Sequence, residues 1–325
     1  MPRLSGLDVL GAARRLTGRV RRTPVLTSER LDDILGARIF LKAEHRQLTG
    51  SFKLRGVLNR MLQFGPSELD RGVIAGSSGN HGRALVTAAA ELGTSAVVVL
   101  PSDAPEHKRA AIEAAGATVV PFDRVATDRD ALVASLVLRH RRVPVPSSDD
   151  LAVIAGNGSA AVELLEDVGC LDCLVIPVGG GGVAAGTGLV ARSLYPGVQV
   201  FGAEPAGADD TARSLRAGAP VPIDMPTTIA DGLRHPRPGT LTFPIIRRTL
   251  RDVLVVSDVD IVAAMRLVRD CVGDIVEPSG ACGLAAVVAH PRIFTGRRVG
   301  ILISGGNVEP ALFDQLVGGP APAPS

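Results

Sequence analysis

The chain has no tryptophan, and its 325 residues include one tyrosine and eight phenylalanines. Its charges nearly balance, since 35 Lys and Arg residues face 33 Asp and Glu residues and the formal net charge is +2. No basic run is interleaved with aromatic residues, so a nucleic-acid partner is not expected. Hydrophobic residues make up 46% of the chain and charged residues 21%, which is the balance of a globular protein with a large core.

Cysteine is also scarce. The four cysteines include one C-x-x-C pair, Cys170 and Cys173, but neither a second pair nor a nearby histidine completes a zinc site. We interpret them as reduced core thiols and predict a cytoplasmic location. The first sixteen residues form an amphipathic helical pattern without the apolar block of a secretion signal.

One uncharged run, residues 173–191, has the length of a membrane span. It contains Pro177 and six glycines, so a buried strand, a glycine turn and a helix explain it better. A membrane partner is therefore not expected.

Short apolar strands without an alternating pattern recur along the chain, and a helical pattern follows each of them. Residues 96–100 (AVVVL) and 117–121 (ATVVP) are examples. This order predicts an α/β fold whose mostly parallel sheets are covered by helices on both faces. A link rich in Pro, Ser and Asp at residues 144–150 is predicted to cross between two domains, and the next helix is predicted over residues 158–167.

Lys53 lies in the first turn of a predicted helix, in a stretch, residues 49–56, that follows the strand-like run 37–43. A cation is disfavoured there by the positive end of the helix dipole. A partly desolvated amine near backbone donors loses its proton more readily than a free lysine with a pKa of about 10.4. The uncharged amine could then form an imine, whereas the ordinary interpretation is a solvated lysine at a helix start.

Four consecutive glycines, Gly179, Gly180, Gly181 and Gly182, separate a predicted strand from a helix. Their backbone N–H groups and the helix dipole suit a phosphate. The same turn contains G-x-G-x-x-A, which also fits a dinucleotide site with Glu204 further along. A tight turn needed for packing alone is the third interpretation, and this turn by itself does not separate the three.

Two further polar turns follow predicted strands. The first spans residues 77–82 (SSGNHG) and could hold a carboxylate, although a simple helix cap would use the same residues. The second spans residues 302–307 (LISGGN) and includes the hydroxyl of Ser304. Because ligands of open parallel sheets bind beyond the carboxyl ends of the strands, we expect these turns to converge with the glycine turn.

An acidic turn at residues 204–210 (EPAGADD) could supply oxygen ligands to Mg²⁺, Mn²⁺ or Ca²⁺. The ligands would be the carboxylates of Glu204 and Asp210 and the carbonyl of Ala208. Solvated loop acids are the alternative.

Seven motifs occur in one order between residues 23 and 310: TGSFKLRG, SSGNHG, GGGG, EPAGADD, TIADGLR, VEPSGACG and ISGGN. Together they resemble the fold-type II pyridoxal 5'-phosphate enzymes, and above all the branch of threonine/serine dehydratases and serine racemases. This resemblance implies a tryptophan synthase β-like α/β fold with two domains, each built on a mostly parallel twisted sheet flanked by helices. It implies a large cofactor-binding domain from residues 1–63 and 146–325, a small domain from residues 64–145, and a homodimer.

The resemblance also implies roles for individual residues. Lys53 would bind the cofactor covalently and act as a catalytic base. Further cofactor contacts are implied for Phe52, Asn80, Gly179, Gly180, Gly181, Gly182, Gly232, Glu277 and Ser304. Substrate contacts are implied for Ser77, Ser78, Asn80 and His81. Ser78 would be a second catalytic acid or base that permits racemisation, and Glu204, Ala208 and Asp210 would bind Mg²⁺ or another divalent cation.

The implied activity is β-elimination from L-threonine or L-serine, which yields a 2-oxo acid and ammonia. The resemblance implies a neutral hydroxyl, that of Ser304, at the pyridine nitrogen, and this would make the cofactor a restrained electron acceptor and favour elimination. Alternatives are serine racemisation, dehydration of 3-hydroxyaspartate or a hydroxylated diaminobutyrate, and a carrier that binds the cofactor without turnover. The sequence departs from the branch at residues 156–159, where GNGS replaces the usual GQGT.

Overall fold

The computed structural model describes residues 4–318 apart from Ser78, Pro105, Arg124 and Val125, and apart from the side chains of His107, Lys108 and Ala111. In this part of the chain, no helix combines the length and the apolar character that crossing a membrane requires. The role predicted for Ser78 therefore lies outside the described residues.

The described residues form ten strands in two sheets. The strands are β1 (Val25–Leu26), β2 (Arg38–Ala43), β3 (Val73–Gly76), β4 (Ala96–Pro101), β5 (Thr118–Phe122), β6 (Val143–Pro144), β7 (Cys173–Pro177), β8 (Gln199–Pro205), β9 (Asp252–Val256) and β10 (Arg298–Ile303). One sheet has the order β1-β2-β10-β7-β8-β9, and the other has the order β5-β4-β3-β6. All neighbouring strands are parallel except β1 and β2. The predicted α/β fold with mostly parallel sheets is confirmed.

Helices connect the strands and cover the sheets. They are α1 (Gly6–Leu16), α2 (Glu29–Leu35), α3 (Lys53–Met61), α4 (Pro66–Arg71), α5 (Asn80–Glu91), α6 (Glu106–Ala114), α7 (Arg129–His140), α8 (Leu151–Val168), α9 (Gly182–Leu194), α10 (Asp210–Ala217), α11 (Thr242–Thr249), α12 (Asp258–Val272), α13 (Pro278–Ala289), α14 (Pro291–Phe294) and α15 (Pro310–Val317). Short 3₁₀ turns occur at Glu44–Arg46, Ala206–Ala208 and Asp231–Leu233.

The six-stranded sheet lies between two layers of helices. Residues of α1, α8, α9 and α11 form a hydrophobic core on one face. Residues of α2, α12, α13, α14 and α15 form another core on the opposite face. Burial on both faces explains why the strands are continuously apolar instead of alternating.

Helix α3 contributes to the core of the four-stranded sheet. Leu54, Val57, Leu58 and Met61 of this helix pack in one cluster with residues of β3, β4 and α5. Helix α7 covers the other face of the same sheet. The strands of this sheet all fall within residues 64–145, and the division of the chain into domains at that boundary stays a prediction.

A buried charged cluster holds α3 against β2 and α8. The Arg55 guanidinium is fully buried and donates through Nε to Glu44 Oε2 at 2.8 Å and through Nη1 to Glu163 Oε1 at 2.7 Å. Lys42 Nζ lies 2.7 Å from Glu163 Oε2. Burial opposes the charge of Arg55, but Glu44 and Glu163 outweigh it and raise the pKa of this residue.

Two local features differ from the expectation. Residues 143–144, at the edge of the predicted link, form β6 and pair with β3. Helix α8 begins at Leu151 instead of residue 158, and the Asp150 side chain accepts hydrogen bonds from the backbone N–H groups of Ala152 and Val153. Asp150 is the N-cap of this helix. The glycines in the first half of the helix made its true start hard to predict from the sequence.

Candidate active site

A cleft of about 520 Å³ lies at the carboxyl ends of strands from both sheets. Its lining includes Gly76 at the end of β3, Pro177 at the end of β7, and Ser304 directly after β10. This is the position at which open parallel sheets bind ligands. Of the predicted cofactor and substrate residues that the structure describes, all line this cleft.

Lys53 is the first residue of α3, as predicted. Two contacts place it next to β10: Ser51 pairs with Gly305, and the Phe52 backbone N–H donates to Ser304 O at 3.1 Å. Lys53 Nζ donates to the Ser147 carbonyl at 3.0 Å and lies 5.0 Å from the centre of the Phe52 ring. Removal from water lowers the pKa of Lys53 to about 8, although the Glu277 charge opposes this shift.

Asn80 begins α5 and lies in a chain of side-chain hydrogen bonds. Its Nδ2 donates to Glu277 Oε1 at 2.6 Å, and its Oδ1 accepts from Asn307 Nδ2 at 2.6 Å. Asn307 also donates to the Thr49 carbonyl at 2.9 Å. The Asn80 amide is therefore fixed in orientation, and its Nδ2 retains a second N–H for a ligand.

The four glycines form the turn between β7 and α9. Gly181 has a φ of +80°, which favours glycine, and α9 begins at Gly182 without a side-chain cap. A Cβ atom on Gly180 would collide with Ser148 Oγ. The first N–H groups of α9 therefore remain available to an anion, and the helix dipole favours one there.

The far side of the cleft contains the other predicted cofactor residues. Ser304 Oγ donates to the Ser279 carbonyl at 3.3 Å, and the Gly232 backbone N–H donates to Ser279 Oγ at 2.9 Å. Ser279, at the start of α13, thus joins two predicted residues and was not itself predicted. Glu277, the residue before α13, holds Asn80.

The predicted substrate residues Ser77 and His81 flank the start of α5. Ser77 Oγ accepts from the Gly79 backbone N–H at 3.2 Å. His81 Nε2 lies 2.8 Å from the Val145 carbonyl, while its buried Nδ1 has no partner among the described residues. Burial, and then the Lys53 charge, lower the pKa of His81 to about 3. A neutral ring whose Nε2–H donates to Val145 leaves Nδ1 as an acceptor.

Asn157 lies in the segment GNGS, which departs from the usual GQGT, and no role was predicted for it. Its side chain is 1% exposed, and neither Nδ2 nor Oδ1 has a hydrogen-bond partner among the described residues. It lines the cleft next to the glycine turn, since a Cβ atom on Gly182 would lie 3.3 Å from Asn157 Nδ2. An unpaired buried amide at this place indicates a ligand or a water molecule as its partner.

Arg129 and His235 also line the cleft, and no motif indicated either of them. The Arg129 side chain crosses Gly76, since a Cβ atom there would lie 2.8 Å from Arg129 Cδ. Burial, and then the charges of Lys53 and Arg129, lower the pKa of His235 to about 4. Both residues come from segments whose sequence pattern is that of ordinary loops or helix starts.

The predicted metal ligands lie apart from the cleft, where β8 leads into α10. Glu204 accepts from the backbone N–H groups of Thr211 and Ala212 at 3.1 and 2.8 Å. Asp210 is fully buried, and neither of its carboxylate oxygens has a partner among the described residues. Ala208 is buried in the 3₁₀ turn between them.

Burial disfavours the ionised forms of the two carboxylates in this turn, Glu204 and Asp210. Burial, and then the charge of Asp210, raise the pKa of Glu204 to about 8, while burial, helped by Asp209, raises that of Asp210 to about 7. The described part of the chain contains no group of three or more His, Cys, Asp or Glu residues that could hold a metal. A cation here would therefore need backbone oxygens or water as further ligands.

A buried amine of lowered pKa, a turn of backbone donors and a fixed amide meet in one cleft at the carboxyl ends of strands from both sheets. These groups suit a phosphorylated aldehyde. The chain belongs to the pyridoxal-phosphate dependent enzymes, because the profile of this family matches residues 16–305. The resemblance inferred from the motifs is confirmed.

Individual relatives cover nearly the whole chain. It is 45% identical over 312 residues to the L-threo-3-hydroxyaspartate ammonia-lyase of Pseudomonas sp, covering 96% of this chain and 98% of the relative. It is 41% identical over 318 residues to the protein of the same name from Saccharomyces cerevisiae, covering 98% of each. The crystal structure of serine racemase from Dictyostelium discoideum superposes with a TM-score of 0.88 at 41% identity, covering 94% of this chain and 99% of that one.

The cleft fits pyridoxal phosphate. The uncapped glycine turn offers donors to a phosphate, Lys53 offers an amine of lowered pKa, and Ser304 offers a neutral hydroxyl. The unpaired amide of Asn157 lies beside the glycine turn. The individual cofactor contacts stay predictions.

Proposed function

We propose that this enzyme catalyses β-elimination from 3-hydroxyaspartate and releases a 2-oxo acid and ammonia. The observation that carries the choice of a dicarboxylic substrate is the set of side chains around Lys53 that can bind carboxylates: the Arg129 guanidinium and the neutral, hydrogen-bonding rings of His81 and His235. The two relatives named as 3-hydroxyaspartate ammonia-lyases support the same choice. L-Threonine and L-serine carry one carboxylate and remain the alternative substrates of the same reaction.

In the proposed reaction, the bound cofactor supplies an electron-accepting ring that stabilises negative charge at the substrate Cα. Lys53 Nζ accepts the Cα proton, and its pKa of about 8 suits a base that works near neutral pH. The turn containing Ser77 and His81 binds the carboxylate next to the amine. The Cα–H and Cβ–O bonds break, a double bond forms between Cα and Cβ, and the β-hydroxyl leaves as water with the proton that Lys53 Nζ has accepted. Hydrolysis of the nitrogen-bearing product then consumes one water molecule and gives the 2-oxo acid and ammonia.

Serine racemisation is the second candidate, supported by the similarity to the Dictyostelium discoideum enzyme and by Ser78 in the sequence. A racemase must deliver a proton to either face of Cα, and Ser78 would serve the face opposite Lys53. Incubation with L-serine in D₂O tests this: racemisation requires D-serine that carries deuterium at Cα, and the Ser78→Ala variant should lose that product while it retains ammonia release.

We further propose that Glu204, Ala208 and Asp210 bind Mg²⁺ or another divalent cation. The buried, unpartnered carboxylate of Asp210 supports this proposal.

We also propose a cytoplasmic homodimer. The resemblance of the seven motifs to the fold-type II enzymes, which implies a homodimer, supports this proposal. Light scattering of the purified protein would measure its mass, and a monomer at micromolar concentration would contradict the dimer.

The chain contains three lysines, Lys42, Lys53 and Lys108, which allows a clean test of the reaction. The Lys53→Ala variant should lose the visible absorbance of the bound cofactor and lower ammonia release from L-threo-3-hydroxyaspartate at least a thousandfold. The matched Lys108→Ala variant should retain both. Retention of colour and turnover by Lys53→Ala would refute the role of Lys53, whereas cofactor binding without turnover of any hydroxy amino acid would indicate a carrier.

A further inference from the structure

The ring of His235 lies against the glycine turn. A Cβ atom on Gly179 would lie 3.0 Å from His235 Cδ2, and one on Gly180 would lie 3.1 Å from His235 Cε1. These two carbons flank Nε2, so the Nε2 edge of the ring faces the turn. His235 is therefore part of the wall that the six-stranded sheet contributes to the cleft.

The two ring nitrogens of His235 have no hydrogen-bond partner among the described residues, although the side chain is only partly exposed. The lowered pKa makes the ring neutral at neutral pH, so that it offers one N–H donor and one acceptor. A polar ring of this kind in the wall of a cleft is suited to contact a ligand.

The charges around His235 favour an anionic ligand. Lys53 and Arg129 both act on it with positive charge. Arg129 is partly neutralised by Asp130, since Arg129 Nε donates to Asp130 Oδ1 at 2.8 Å. Three acidic residues, Asp231, Glu277 and Glu309, also line the cleft, and Glu277 is engaged with Asn80. A carboxylate beside His235 would offset the charges of Lys53 and Arg129, and it would make protonation of the ring easier.

We propose that His235 is a specificity-determining residue that binds the second carboxylate of a dicarboxylic hydroxy amino acid. This inference rests on the proposed function. The two carboxylates of 3-hydroxyaspartate are on neighbouring carbons, and two walls of the cleft can hold them. The turn containing Ser77 and His81 follows a strand of the four-stranded sheet and takes one carboxylate, while His235 takes the other. L-Serine has a hydrogen atom on Cβ in place of the second carboxylate, so His235 adds nothing to its binding free energy.

Steady-state kinetics with L-threo-3-hydroxyaspartate and L-serine test the inference in the wild-type holoenzyme and in His235→Ser. A hydrogen bond to a charged group is worth about 1.5–3 kcal/mol, so His235→Ser should lower kcat/KM for hydroxyaspartate about 10- to 150-fold, mainly through KM. The value for L-serine should change less than about threefold. His235→Gln retains a donor and should lose less than His235→Ser, and His140→Ser, at an exposed histidine, should match the wild type.

A binding measurement separates this inference from the proposed function. Succinate should compete with substrate more strongly than propionate does, and His235→Ser should remove most of that difference while the cofactor absorbance stays unchanged. A wild-type enzyme that turns over L-serine but not hydroxyaspartate would refute the proposed substrate. A wild-type enzyme that turns over hydroxyaspartate with a substrate preference unaffected by His235→Ser would refute the inference alone.

Discussion

The amide of Asn157, in the wall of the cleft, has no hydrogen-bond partner among the described residues for either its donor or its acceptor. Leaving a buried donor or acceptor unpaired costs about 1–3 kcal/mol. Because this amide lies beside Gly182, the phosphate of the cofactor is its expected partner, either directly or through a water molecule. The unpaired amide would then destabilise the cofactor-free protein, and cofactor binding would remove this destabilisation.

The Asn157→Leu variant should separate these two states, since leucine has nearly the same size and no polar atoms. Without cofactor its melting temperature should equal or exceed that of the wild type. Its dissociation constant for pyridoxal phosphate should rise about tenfold, which corresponds to one lost hydrogen bond of about 1.4 kcal/mol. Thermal unfolding and an absorbance titration measure the two quantities.

Asn59 provides a matched control for this prediction. It is fully buried, but it accepts from Arg15 Nη1 and donates to the Ala152 carbonyl at 2.7 Å. Asn59→Leu should therefore destabilise the cofactor-free protein and leave cofactor affinity nearly unchanged. If Asn157→Leu behaves in the same way as Asn59→Leu, the proposed partner of Asn157 is wrong.

The carboxylates of Glu204 and Asp210 predict a stability that depends jointly on pH and metal. Their folded-state pKa values of about 8 and 7 exceed the ordinary values of 4.5 and 3.8. Their stabilising contribution is therefore complete below pH 4 and is lost as pH rises towards 8. A divalent cation binds the ionised carboxylates, so Mg²⁺ should stabilise the protein more at pH 8 than at pH 5.5.

Melting temperatures in EDTA and in Mg²⁺ at both pH values check this expectation. At a concentration a hundredfold above Kd, Mg²⁺ should add about 2.7 kcal/mol, or about 5 °C, at pH 8. Asp210→Asn should abolish the difference between EDTA and Mg²⁺. An equal effect of Mg²⁺ on the wild type and on Asp210→Asn would place the cation elsewhere.

At the scale of elements, close approach of α8 to its neighbours depends on glycine. A Cβ atom on Gly158 would lie 2.9 Å from Gly186 Cα in α9 and 2.8 Å from Val9 Cγ1 in α1. Real Cβ atoms do not occupy such positions, so the three helices would have to separate. Glycine, which usually weakens a helix, here allows α8 to pack closely against α9.

The same substitution should therefore have opposite effects at two helical glycines. Gly158→Ala should lower the free energy of unfolding by about 1–3 kcal/mol because the packed core cannot admit the methyl group. Gly11→Ala in α1 adds its methyl group where no heavy atom lies within 4 Å and should raise stability by about 0.5–1 kcal/mol. Urea denaturation measures both, and equal effects would show that packing does not decide the outcome.

Local sequence patterns predicted the elements that carry the motifs, but not their partners. Lys53 begins a helix and the four glycines lie between a strand and a helix as predicted, because strand, turn and helix signals are short-range. The strand order β1-β2-β10-β7-β8-β9 brings together segments far apart in the chain, and no local signal encodes it. Residue pairs such as Asn80 and Asn307 depend on that order.

Two of the residues that the sequence did not predict, Asn157 and His235, were missed for the same physical reason. Asn157 lies inside a helix that was expected to start after it, and His235 lies in a loop-rich segment. Their types are ordinary for a helix and a loop. They are unusual because their polar side-chain atoms have no partner among the residues that the structure describes, and only the three-dimensional structure shows this.

At the scale of the whole molecule, the buried charges around Arg55 connect α3, β2 and α8. Breaking a buried pair by removing one member costs about 3–5 kcal/mol, because the remaining charge stays out of water. Exposed pairs are worth about 0–1 kcal/mol. Whether an ion pair is buried or exposed therefore decides how much its loss lowers the free energy of unfolding.

Arg55→Ala should therefore lower the free energy of unfolding by about 3–5 kcal/mol, since Glu44 would remain buried without its main partner. Arg22→Ala removes a contact of an exposed guanidinium with Glu166 and Asp167 and should cost less than about 1 kcal/mol. Chemical denaturation compares the two variants. A small effect of Arg55→Ala would mean that water reaches Glu44 in the variant.

Helix α3 carries Lys53 and also packs in the core of the four-stranded sheet. A chimaeric enzyme made by exchanging residues 64–145 with a homologue would place foreign side chains against Leu54, Val57, Leu58 and Met61. A junction placed before Lys53 would transfer the helix and the sheet together and preserve their interface. Recombined genes are therefore expected to encode a folded enzyme when Lys53 and the four-stranded sheet come from the same parent.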